Sequence, residues 1–293
     1  MTSFRPLYTI ADLGVQTALI ELLPCIRAAG KIATALQGRI QHVDAPVQKD
    51  IGHPAMDVLT HADLLIEDRI GSDILLLFAD ASFHGEERDK DRVSRFIPED
   101  LPFLITLDPV NGTLFYKDGV PQYEIILTIC DRAWNMLGAI IYRPVFDEAF
   151  IGYPTGDHSQ EAMRIRWDDS GSEYIPLRVH QLGTPRILHL DETWSHRLPI
   201  LREAGYEVQD VWIGYAGQRN WAYSQADMLL GKCCGMVWRP PWSQLIDAAA
   251  FGFMVECAGG VWRKDGLDLK TLTYAHSIVA HDTETADLLE RLL

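Results

Sequence analysis

A mixed α/β fold of the α+β kind is what this sequence predicts, on three observations. Apolar residues recur at helical spacing between Ile10 and Leu36. Short apolar runs at 123–130, 136–142 and 149–153 follow one another closely enough for an antiparallel meander. From Arg186 onward, strand-like and helix-like stretches alternate.

Taken in order, residues 10–36 predict one or two amphipathic helices, with Asp12 near the start, Pro24 as a kink or break and Gly30 as a late interruption. The polar stretch 37–54, which carries Lys49, reads as a loop. Residues 57–67 open a helix, on which Thr60 or Asp63 caps the N-terminus and Glu67 forms a surface pair. Residues 74–79 read as a short strand feeding Gly85-Glu86-Glu87. The charged run 88–100, with Arg88, Arg92 and Arg95, reads as a solvent-facing excursion, and 116–121 as a loop. After the meander the composition turns polar near 154–159. That places a boundary between an N-terminal half, 1–155, and a C-terminal α/β half, 156–293. In the second half, strands are expected at 186–190, 208–213 and 235–238, and helices at 194–204, 221–230 and 242–258, the last ended by Gly259-Gly260. A strand at 278–282 and an acid-capped final helix close the chain.

Composition narrows the function. The chain is 293 residues long, 47% hydrophobic and 23% charged, enough for a large core and typical of a globular protein. No apolar run reaches the roughly 18 residues that a membrane span needs. The first residues lack the charged-then-apolar pattern of a signal peptide, so a cytoplasmic location is the default expectation. A formal charge of -15 argues against a nucleic-acid polymer as partner, because phosphate backbones need a basic footprint. A small phosphorylated metabolite stays possible, since bound divalent cations invert a local potential. Five cysteines, including the adjacent Cys233 and Cys234, form neither a disulfide framework nor a paired zinc motif and read as buried free thiols.

The most informative stretch is 104–115. An apolar run ends in Asp108-Pro109, and Asn111-Gly112-Thr113 follows, so a buried strand delivers a carboxylate into a turn. Pro109 has no amide proton and Gly112 tolerates a left-handed backbone, so the turn can aim Asp108, the Val110 carbonyl and the Asn111 side chain at one point. Converging oxygen ligands suit a hard cation such as Mg2+.

This stretch resembles the Asp-Pro-(Ile/Leu)-Asp-Gly-Thr signature of the inositol monophosphatase family, within the lithium-sensitive, metal-dependent sugar-phosphatase superfamily. Gly85-Glu86-Glu87 upstream and Asp247-Ala-Ala-Ala with Glu256-Cys-Ala-Gly-Gly260 downstream match in order and spacing. Thr60, Asp63 and Glu67 fit a helix-opening segment of that family, and Phe115, Gly119, Pro121, Tyr142 and Pro144 extend the match. The resemblance implies a five-layer α/β/α/β/α sandwich, a homodimer, and a site at the junction of the halves. It implies a Mg2+-dependent phosphatase acting on a small sugar, cyclitol or nucleotide-like monoester. Two or three Mg2+ sites would be held by Glu86, Asp108, Val110, Asn111 and Asp247, with Asp63 supporting them from behind. Glu86, Thr113 and Asp108 would be catalytic. Asn111, Gly112, Thr113, Arg239 and Asp247 would meet the substrate.

Two departures bear on that expectation. The family has a second Asp where this chain has Asn111, an oxygen donor without charge, so the second cation is expected to bind more weakly. Three accounts stand at this point: a slow enzyme, a chain that has lost catalysis and only binds a metabolite or partner, or a substrate-trapping substitution. Ile246 precedes Asp247 where the family has Trp, and Trp238-Arg239-Pro240-Pro241-Trp242 occupies the region of an acidic substrate contact. Arg239 and its flanking tryptophans suit a larger, flatter or more anionic group, or else are core residues and a surface ion pair.

Overall fold

The computed structural model describes residues 6–40, 47–48, 58–87, 93, 96–155, 159–168, 170–179, 185–190, 192–210, 226–239, 245–270 and 273–293. Lys49, Arg88, Arg92, Arg95, Trp221, Pro240, Pro241 and Trp242 lie outside them.

The chain opens with α1 (Ile10–Leu13) and α2 (Val15–Ile40). Helix α2 runs through Pro24 as one element, because Leu19, Leu22, Leu23 and Ile26 on both sides of it are buried and tertiary packing outweighs the lost hydrogen bond. Gly30 does not interrupt it either. It is the point where the Tyr142 ring meets the helix backbone. After the short pair β1 (Val47–Gln48) and β2 (Val58–Leu59) comes α3 (His61–Leu77). The strand expected at 74–79 is the end of this helix: Ile66, Ile70, Ile74 and Phe78 are buried at four-residue spacing, and the strand lies later, at β3 (Ala81–Gly85).

A seven-stranded sheet follows in the order β3-β4-β5-β6-β7-β8-β9. Its members after β3 are β4 (Phe103–Asn111), β5 (Glu124–Asp131), β6 (Met136–Arg143), β7 (Glu148–Pro154), β8 (Gln160–Asp168) and β9 (Gly171–Pro176). The β5–β7 meander stands where the apolar runs predict it. Residue 155 falls between β7 and β8, which are hydrogen-bonded neighbours, so the sheet continues past it to Pro176. Residues 113–117, between β4 and β5, form a short helix, α4 (Thr113–Lys117), and bury Tyr116, expected in a loop.

The second sheet, in the order β11-β10-β12-β14-β13, is mixed. It contains β10 (Ile187–Leu190), β11 (Glu207–Asp210), β12 (Gly235–Trp238), β13 (Val261–Asp265) and β14 (His276–Ala280). With it come α5 (Leu198–Glu203), α6 (Ala226–Leu229), α7 (Leu245–Cys257) and α8 (Thr283–Leu292).

Three apolar cores separate five layers. Leu22 and Ile26 of α2 and Ile70 of α3 pack on Ile125, Leu127 and Ile129 of β5. The alternate residues Ile126 and Cys130 face the other way, onto Ala248, Phe251 and Met254 of α7, which also meets Met236 and Val279 of the second sheet. Beyond that sheet, Leu188, Val237 and Ile278 pack against Leu289 of α8. Helices α2 and α3, the large sheet, α7, the smaller sheet and α8 thus form the expected α/β/α/β/α sandwich. Among the described residues no helix is long and apolar enough to cross a membrane.

Candidate active site

Strands β3 and β4 are parallel, and Gly85 stands opposite Leu107. Their carboxyl ends therefore deliver Glu86 and Asp108 side by side, and the Glu86 amide donates to the Leu107 carbonyl at 2.9 Å. Beyond Asp108 the register of β4 against β5 shifts. Pro109 has no N–H for the ladder, and the Val110 N–H donates instead to Asp108 Oδ1 at 2.9 Å. Gly112 takes a φ of +87° and turns the chain into α4, whose first residue is Thr113.

Asp247 arrives from the middle layer, in the first turn of α7, where a helix N-terminus favours negative charge. The carboxyl groups of Glu86 and Asp247 lie against that of Asp108. Burial first, then the charges of Glu86 and Asp247, hold the Asp108 carboxyl well above the usual carboxylate range. Three acids from separate elements thus meet around the buried Asp108, with Glu86 on the partly exposed side.

Behind them, the Thr60 amide and hydroxyl donate to Asp63 Oδ2 at 2.7 and 2.6 Å, closing a capping box at the start of α3. Thr113 Oγ1 donates to the Val110 carbonyl at 2.8 Å and lies 3.3 Å from Asp63 Oδ1. Asp63 therefore touches the Asp108–Thr113 turn from below. Glu67, expected in a surface pair, is 0% exposed and accepts the Glu87 amide at 2.9 Å, so one helix face braces both motifs.

Asn111 donates through Nδ2 to Glu124 Oε2 at 3.1 Å. Glu124 is absent from the residues that the sequence singles out, although a carboxylate opening the apolar run of a buried strand is itself a signal. Arg239 follows β12 and stacks its guanidinium 5.3 Å from the Trp194 ring centroid, while Trp238 packs edge-on against Phe251 in the core.

Among the described residues no three His, Cys, Asp or Glu side chains are already spread as a metal cage. The donor set nevertheless fits a divalent cation: the three carboxyls and the Val110 carbonyl present oxygen ligands alone, which is hard-cation chemistry. Glu86, Asp108, Asp247 and the Val110 carbonyl are the groups that would hold it.

No family model matches the sequence, and no curated protein does. Solved structures do. The extragenic suppressor protein SuhB from Bartonella henselae superposes with a TM-score of 0.66 at 19% identity, over 94% of this chain and 98% of that one. An inositol monophosphatase from Zymomonas mobilis gives 0.62 at 17%, over 95% and 99%. A staphylococcal IMPase-I, solved with its products, gives 0.64 at 14%, over 95% of each chain. Layer order and superposition agree: this chain has the inositol monophosphatase fold.

Proposed function

We propose that this protein is a Mg2+-dependent phosphatase that hydrolyses a phosphate monoester of a small sugar, cyclitol or nucleotide-like metabolite. The observation that carries the reading is the meeting of Glu86, Asp108 and Asp247, supplied by two parallel strand ends and a helix N-terminus. Bound Mg2+ would supply charge neutralisation on the phosphate and acidify a water.

The chain's own groups do the rest. Thr113 commits its hydroxyl proton to the Val110 carbonyl, which leaves an oxygen lone pair to accept a hydrogen bond from the attacking water. Glu86 takes the proton that this water loses. The first turn of α7 favours the phosphate anion at Asp247. Water oxygen bonds to phosphorus, the ester P–O bond breaks, and the departing alkoxide gains a proton, giving inorganic phosphate and an alcohol. Arg239, whose guanidinium lies over the Trp194 ring, is assigned to the substrate-binding groups in this reading. A homodimer in the cytoplasm belongs to the same proposal.

The test is phosphate release from a panel of sugar, cyclitol and nucleotide monophosphates with Mg2+, with mass spectrometry confirming that Asn111 is intact. Release that EDTA and Asp108→Asn both abolish is expected. If the intact chain releases phosphate from none of them but binds one, the second reading, a non-catalytic binder, replaces the first. Asn111 is the observation that favours it.

A further inference from the structure

Asn111 and Glu124 are cross-strand partners at the end of β4 and the start of β5, next to the register shift that begins at Asp108. Glu124 is 3% exposed, and its Oε2 accepts from Asn111 Nδ2 at 3.1 Å. The Glu124 carboxyl oxygen takes the NH2 end of the amide, which turns Asn111 Oδ1 the other way. Amide orientation is otherwise a near-isosteric choice between a donor and an acceptor end. A cation tolerates one end and is repelled by the other.

From this geometry we infer that Glu124 is a positioning residue for the cation site: it fixes Asn111 with its carbonyl oxygen available as a ligand and restores, one residue removed, the negative charge that the amide lacks. The inference rests on the phosphatase reading above. It makes Asn111 and Glu124 a matched pair in which the charge sits on β5 instead of β4. An aspartate at position 111 would face Glu124 across about the same distance as a second acceptor, with no donor between them.

The experiment is a charge-swap cycle on the full chain, comparing the parent, Glu124→Gln, Asn111→Asp and the double variant. Mg2+ and Mn2+ affinities are read by titration calorimetry, and melting temperature with and without the cation gives a second readout. Melting in EDTA shows whether each variant folds. In the parent background Glu124→Gln weakens cation binding by about 10–100-fold, the range for groups that orient ligands. In the Asn111→Asp background the same change leaves binding level or strengthens it, because the introduced glutamine amide then donates to the introduced carboxylate. A residue that only packs would not reverse the sign of its effect with its neighbour's charge. The inference is overturned if Glu124→Gln leaves the parent's affinity unchanged, or costs the same in both backgrounds. A parent chain that binds neither cation overturns the phosphatase reading itself, which the parent titration alone decides.

Discussion

Gly85 stands so close to the Glu67 carboxyl that a methyl group added at position 85 would lie 2.1 Å from Glu67 Cδ. Glu67 is fully buried and holds the Glu87 amide, so it has no route to solvent that keeps this bond. Gly85→Ala is expected to cost about 1–3 kcal/mol, the range for overpacking, and to displace Glu86. Urea unfolding reads the first effect and Mg2+ titration the second. Gly85→Ala combined with Glu67→Ala should lose less than the two separate losses added together, because one clash is relieved.

Asp63 carries two jobs that separate by mutation. Its Oδ2 caps α3 through Thr60, and its Oδ1 reaches Thr113. Asp63→Ala is expected to cost about 1–2 kcal/mol of stability and about 10–100-fold in cation affinity. Thr60→Ala removes a cap of similar worth but leaves the contact to Thr113, so it lowers the melting temperature with little change in affinity. Equal losses of affinity in both variants would contradict this division.

The raised Asp108 carboxyl sets a pH dependence with a definite sign. Between its ordinary value near 3.8 and its raised folded value, the native state holds a proton that the unfolded chain has released. This group's contribution to the cation-free chain is therefore best below the ordinary value and falls as pH rises through the window. Cation binding requires the proton to leave, so stabilisation by Mg2+ grows with pH. At 100 times Kd, Mg2+ contributes about 2.7 kcal/mol, roughly 4 °C for a chain this size. That gain is expected to shrink as pH is lowered toward the ordinary carboxylate range, and Asp108→Asn to remove it.

All five cysteines are free, and Cys130, Cys233, Cys234 and Cys257 are buried. Burial pushes the Cys130 thiol up to about 11 and Cys234 to about 12. Half-buried Cys25 rises to about 11, by burial and then by the Asp73 charge. Since only thiolates alkylate readily, native protein at about pH 8 should label slowly, Cys25 first, and all five should label together in denaturant. Fast native labelling of Cys233 or Cys234 would contradict the packing described.

What the sequence makes legible is what leaves local marks. Asp108-Pro109 and Gly112 punctuate the chain, and the apolar run before them reads directly as a strand, so the Glu86, Asp108 and Asp247 motifs are visible in order. Pairings across strands leave no such mark. Glu124 meets Asn111 only because β5 folds back in a particular register, and Glu67 is internal only because α3 turns that face inward. The last turn of α3, from Ile74, reads as a strand because four apolar residues in a row fit either element. The Thr60 cap and the spacing of Ile66, Ile70 and Ile74 decide for the helix. Strands β8 and β13 escape a reading by apolar runs because charged residues such as Arg164, Arg166, Arg263 and Lys264 interrupt them.

Helix α7 touches both sheets, and its opening turn contributes the third acid. Neither sheet with its outer helices holds all three of Glu86, Asp108 and Asp247. Severing the chain between Pro176 and Ile187 would leave two fragments, each inert alone. If the proposed magnesium site is real, their reassociation would register as regained magnesium affinity, a direct readout of correct docking.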